Sequence, residues 1–136
     1  MSRSATAKWH GTGKEGQGHL TTQSGILKES NYSYKTRFEN EPGTNPEELI
    51  AAAHAGCFSM KLSFVLTAAG FPPEEIETKC DITLADGAIT KSHLTVHVKA
   101  PGIDQQKFDE CAKDAKENCP VSKVLNTEIS MEASVN

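Results

Sequence analysis

The sequence has no C-x-x-C pair, no block of like charge and no repeat or low-complexity stretch, and each absence removes a class of function. Its four cysteines stand apart at positions 57, 80, 111 and 119, which argues against a zinc ribbon or a thioredoxin-type motif. Fourteen basic and eighteen acidic side chains, for a formal charge of -4, are scattered along the chain. Neither a nucleic-acid footprint nor a polybasic membrane tether is written there. The opening Met1-Ser2-Arg3-Ser4-Ala5-Thr6 has no apolar run behind its positive charge; a secretory signal is not expected, and the cytoplasm is the expected compartment. Cysteines in a reducing compartment are not permanent staples, so cysteine chemistry must come from residues that folding brings together. The glycine cluster Gly11-Thr12-Gly13-Lys14-Glu15-Gly16 lacks the order of a phosphate-binding loop and reads as a hairpin turn.

What is present is a chain of 136 residues, 37% of them apolar, the size of one domain with one core. Ala5, Ala7 and Trp9 alternate with polar neighbours, as do Tyr32, Tyr34, Thr36 and Phe38, which predicts short strands. Asn45-Pro46-Glu47-Glu48 then opens a helix: Asn45 suits the cap, Pro46 the first turn, and Glu48 the carboxylate position of a capping box. The helix should run to about Ala69 and stop at Gly70. Leu49, Ile50, Ala53, Cys57, Phe58, Leu62, Phe64, Val65 and Leu66 leave it almost no polar face, as befits a helix surrounded by protein. His54, Ser59, Lys61, Ser63 and Thr67 argue against a membrane span.

Ile76 to Leu84 and Leu94 to Val98 alternate around an Asp86-Gly87 turn, predicting an antiparallel hairpin. Phe108, Cys111, Ala112 and Ala115 predict an amphipathic helix over 104–118, and Cys119-Pro120 begins a shorter one to about Leu125. Ile129, Met131, Ala133 and Val135 alternate as a last strand. The expected class is α+β, a single domain over 1–136.

Cys80 on a strand face and Cys111 on a helix face read as small buried hydrophobes. Cys119 differs, because Pro120 places its sulfur at a helix start, where free N–H groups favour a thiolate. Cys57 lies mid-helix among small residues, where burial raises a thiol's pKa, so reactivity there requires a fixed cation nearby. Arg37 is the candidate, although on periodicity it stands on the wet face of its strand. His54, Cys57 and Cys119 form the one imaginable metal set, short of a fourth ligand. His93 and His97 share a strand face with Thr95 and Lys99 and read as solvated; His10 and His19 carry no readable role.

The runs Tyr34-Lys35-Thr36-Arg37-Phe38-Glu39, Gly43 through Met60 and Asn118-Cys119-Pro120-Val121-Ser122-Lys123-Val124-Leu125 resemble the osmotically inducible protein C (OsmC) family, which includes the organic hydroperoxide resistance (Ohr) proteins. The likeness spans nearly the whole chain. It implies antiparallel sheets packed around a long buried central helix, in an intertwined homodimer with its site at the interface. It also implies a catalytic set of Cys57, Cys119, Arg37 and Glu48; neither a cofactor nor a metal is expected.

On that resemblance, Arg37 holds Cys57 as a thiolate and Glu48 holds the guanidinium by a two-point contact. The thiolate attacks a hydroperoxide, becomes a sulfenic acid, and is closed into a disulfide by Cys119; an external dithiol resets the enzyme. Met60, Phe58, Leu62 and Phe64 are candidate apolar walls. The alternative is a thiol redox sensor or binding module that uses the same two cysteines without sustained turnover. Neither a nucleic-acid nor a membrane partner is expected.

Overall fold

Small and aromatic residues alternating with polar ones make Ala5–His10 a strand, β1, in the computed structural model, which describes residues Met1–Asn136. The chain divides into two compact units, Met1–Leu49 and Ile50–Asn136. In the first, β1 pairs antiparallel with β2 (Gln17–Thr22), and β2 with β3 (Ser30–Tyr32). The register sets Trp9 opposite Gly18, and Gly18 opposite Tyr32. A Cβ at Gly18 would run into both rings, whose centroids lie 5.4 Å apart. The missing side chain is what lets the two aromatics meet across the middle strand.

The strand expected through Tyr34, Thr36 and Phe38 is instead a short helix, α1 (Tyr34–Phe38). Two local features override the alternation. Ser33 Oγ accepts from the Thr36 N–H at 3.3 Å while Thr36 Oγ1 accepts from the Ser33 N–H at 2.7 Å, a reciprocal capping box built with threonine. Tyr34 and Phe38 are also spaced i, i+4, so the helix stacks their rings at 4.7 Å. A period of two and a spacing of four are satisfied by the same three residues, and only the cap distinguishes them.

Helix α2 spans Pro46–Ala68. Asn45 Oδ1 accepts from the Glu48 N–H at 2.8 Å, the expected cap, and Gly70 at φ +93 ends the segment in the left-handed region. Its buried residues are His54, Phe58, Leu62 and Leu66, each four positions on, which is one stripe of a helix. Burial within a single chain is therefore narrower than the all-round apolar sequence suggests: Met60 and Phe64 are 65% and 68% exposed.

In the second unit β4 (Glu75–Ala85) and β5 (Ala88–Lys99) form the expected hairpin, turning on Asp86 and Gly87, both at positive φ. The last strand, β6 (Glu128–Val135), pairs parallel to β5. A parallel partner requires a crossover, and α3 (Gln105–Asn118) with α4 (Pro120–Val124) supplies it. Leu94, Val96 and Val98 of β5 pack with Phe58, Leu62 and Leu66 of α2 and with Phe108, Cys111, Ala112 and Ala115 of α3. Cys111 is thus a core residue, as its helical spacing predicts.

Candidate active site

The α3–α4 junction positions the second cysteine. Cys119 closes α3, its N–H donating to Ala115 O at 3.0 Å, and at once caps α4, its sulfur accepting from the Ser122 N–H at 3.4 Å. Pro120 opens α4 with no N–H to spend. The next two residues spend theirs on sulfur. The Val121 N–H faces the Cys57 thiol and favours its ionised form, the Cys119 thiol lies close enough to oppose it, and the Ser122 N–H donates to Cys119. One helix start, whose first-turn N–H groups have no partner within the helix, holds both sulfurs. Both are free thiols, Cys57 partly buried and Cys119 fully buried.

Burial pushes the Cys57 thiol up from its ordinary value; the Val121 N–H opposes this, and Cys119 adds to it. No cation of the Ile50–Asn136 unit is among the groups that shift this sulfur. A nucleophilic Cys57 needs a positive charge from elsewhere.

Arg37 belongs to the first unit, on α1, where it is 39% exposed along the side chain. Its Nε and Nη2 donate to the two carboxylate oxygens of Glu47 at 2.7 and 2.9 Å. The Glu47 hydrogen bond raises the Arg37 pKa further, so the guanidinium is a permanent cation in a fixed plane. The contact expected of Glu48 is made by Glu47. Neighbouring helix positions point about 100° apart, and Glu48 is turned to Thr44 Oγ1 at 2.7 Å. Beside the guanidinium lies a cavity of about 220 Å³ walled by Trp9, Tyr32, Tyr34 and Phe38. The walls expected of α2 divide differently: Phe58 and Leu62 are sealed in the core, while Met60 and Phe64 are exposed.

His54, one turn before Cys57, is fully buried. Nδ1 lies 2.6 Å from Ser92 Oγ and Nε2 2.8 Å from Ser122 Oγ. With both ring nitrogens engaged, the imagined His54–Cys57–Cys119 metal set has no free imidazole lone pair. Burial pushes the His54 pKa down, keeping the ring neutral. Cys80, expected to be an inert filler, has its sulfur 3.2 Å from Ser92 Oγ. Burial pushes its thiol up. Sequence reasoning left Glu47, Ser92 and Ser122 unassigned; only adjacency to Glu48 and Cys119 hinted at the first and last. His93 and His97, expected to be solvated, bond Ser130 and Ser134 of the neighbouring strand at 2.6 and 2.9 Å.

Comparison with known proteins finds relatives of this chain. The family described as OsmC-like protein matches residues 38–134. Peroxiredoxin OsmC of Escherichia coli (strain K12) is 49% identical over 136 residues, covering 97% of this chain and 95% of that protein. Organic hydroperoxide resistance protein OhrB of Bacillus subtilis (strain 168) is 32% identical over 120 residues, covering 85% and 88%. The crystal structure of Bacillus subtilis OhrB superposes with a TM-score of 0.67 at 27% identity, covering 96% of this chain and 98% of that one.

Proposed function

The chain belongs to the OsmC family, and from that premise we propose that it is a thiol-dependent peroxidase that reduces organic hydroperoxides, with Cys57 as the attacking sulfur and Cys119 as the resolving one. The observation that carries the reading is the closeness of these two thiols at the start of α4, near enough for each to feel the other, with the Val121 and Ser122 N–H groups beside them. A sulfenic acid formed on Cys57 already has its resolving partner within reach.

Arg37 is the cation that ionises Cys57 in the assembled enzyme, and Glu47 holds the guanidinium plane. Glu48, the carboxylate that the resemblance assigns, acts one step back by fixing Thr44 and the start of α2. The Cys57 thiolate attacks one peroxide oxygen; the O–O bond breaks, the alkoxide leaves and is protonated to an alcohol, and Cys57 is a sulfenic acid. Arg37 stabilises the charge growing on the leaving oxygen. Cys119 then attacks the sulfenyl sulfur, the S–O bond breaks, and hydroxide leaves with the released thiol proton as water. An external dithiol reduces the disulfide. The aromatic cavity beside Arg37 favours an organic group on the peroxide.

The working form is a homodimer, supported by the exposed apolar side chains of Met60 and Phe64 on α2. The family match begins at residue 38, inside the first compact unit, and continues to residue 134 of the second, which supports one OsmC-like domain over 1–136. The protein is soluble, with the cytoplasm as its compartment.

Peroxide consumption with a dithiol donor tests the assignment. Cys57→Ser should abolish it; Cys119→Ser should turn over once and stall with oxidised Cys57. Full multiple turnover by Cys57→Ser would sink the reading.

A further inference from the structure

Behind the two sulfurs runs a buried polar chain that the peroxidase chemistry above does not use. Cys80 Sγ lies 3.2 Å from Ser92 Oγ, Ser92 Oγ 2.6 Å from His54 Nδ1, His54 Nε2 2.8 Å from Ser122 Oγ, and Ser122 Oγ 3.4 Å from Cys119 Sγ. Ser92 and His54 are 0% exposed and Ser122 is 8% exposed. In a fully paired polar chain inside an apolar core the direction of one hydrogen fixes the direction of all the others.

We propose that His54, acting through Ser122, is a positioning residue for Cys119, and that it governs closure of the Cys57–Cys119 disulfide and not the attack on peroxide. The inference rests on the reading of Cys119 as the resolving cysteine.

A neutral imidazole has one N–H and one lone pair, so the chain has two polarities. In one, the Cys119 thiol donates to Ser122, Ser122 to Nε2, Nδ1–H to Ser92, and Ser92 to Cys80. In the other, the Cys80 thiol donates to Ser92, Ser92 to Nδ1, Nε2–H to Ser122, and Ser122 to Cys119. To attack, Cys119 must give up its proton, and only the second polarity then keeps all four bonds. Ser122 thereby brings its O–H as well as its backbone N–H to a sulfur that carries negative charge as it attacks. The new S–S bond forms, the Cys57 S–O bond breaks, and the departing hydroxide combines with the proton Cys119 released. His54 holds the Ser122 hydrogen in the productive direction, and Ser92 sets the His54 tautomer. Neither serine is used in the first step, where Cys57 meets the peroxide.

The test is a single turnover of the reduced full-length protein with one equivalent of cumene hydroperoxide, quenched in acid and resolved by mass spectrometry into Cys57 thiol, sulfenic acid, sulfinic acid and disulfide. Ser122→Ala should slow disulfide formation by about tenfold, the scale of losing one hydrogen bond to a charged group. Oxidation of Cys57 should keep its rate, and sulfinic acid should accumulate under excess peroxide. Ser122→Thr, which restores the hydroxyl, should recover closure. Ser92→Ala touches neither reacting sulfur and should still slow closure; it also carries the test should Ser122→Ala not fold. Parental closure rates in both alanine variants would overturn the proposal. Cys119→Ser separates the two levels. A bridge to Cys57 that still forms without Cys119 overturns the resolving assignment itself, whereas no bridge in Cys119→Ser alongside normal closure in the serine variants overturns only the role of His54.

Discussion

Arg37 and Glu47, ten residues apart, meet in a two-point ion pair at 2.7 and 2.9 Å, while Glu48 faces Thr44 instead. A planar guanidinium gripped at Nε and Nη2 has little freedom left to turn. The carboxylate that aims Arg37 therefore belongs to Glu47, and exchanging the two glutamates in any mechanistic scheme changes which substitution hurts.

Glu47→Gln is expected to lower kcat/KM for an organic hydroperoxide by about tenfold, the cost of weakening the charge-assisted contact that orients the Arg37 guanidinium. Glu48→Gln is expected to stay within about twofold and to show a slightly lower melting temperature from the weakened start of α2. Steady-state kinetics of the two variants side by side checks the ranking; a larger loss for Glu48→Gln would reverse it.

The stability of the fold should fall in mild acid because of His54. Its pKa is pushed down by burial, so below the unfolded value of about 6.5 the unfolded chain takes up a proton that the folded one refuses. The contribution of His54 is thus fully present above that value and is lost as pH falls through the folded pKa. Urea midpoints measured from pH 7 to pH 5 should decline in the parent and decline less in His54→Gln, which has no titrating ring at this position. Equal slopes would show that other groups carry the acid sensitivity.

Gly18→Ala places a methyl group between Trp9 and Tyr32. Either the rings part or the β1–β2–β3 sheet distorts, at about 1–3 kcal/mol, the usual cost of overpacking. Calorimetry should show a melting temperature several degrees lower, with the sulfur chemistry of the Ile50–Asn136 unit retained in a thiol alkylation assay.

Phe64 is 68% exposed on α2, an expensive position for a large apolar ring unless a partner covers it. Light scattering should report the parent at twice the chain mass. Phe64→Glu should run at the mass of one chain and lose peroxidase activity with it, since a charge buried in an apolar interface is strongly unfavourable. A monomeric parent with full activity would remove the homodimer from the mechanism.

Much of the molecule could be read without coordinates. The α2 cap at Asn45, the stop at Gly70, the Asp86-Gly87 hairpin, the core face of α3 and the capping position of Cys119 each follow from residues within a few positions of one another, where turn chemistry and helical or strand period act alone. At Tyr34–Phe38 local reading failed, because two periods fit the same residues and the Ser33–Thr36 cap decided between them. Tertiary structure alone decided the rest. Glu47 rather than Glu48 meets Arg37 because helix rotation and the Thr44 bond fix which carboxylate turns toward α1. The chain from Cys80 to Cys119 links β4, β5, α2 and α4, whose residues lie as far as 68 positions apart in sequence; no local pattern can encode a bond that exists only once the core has closed around it.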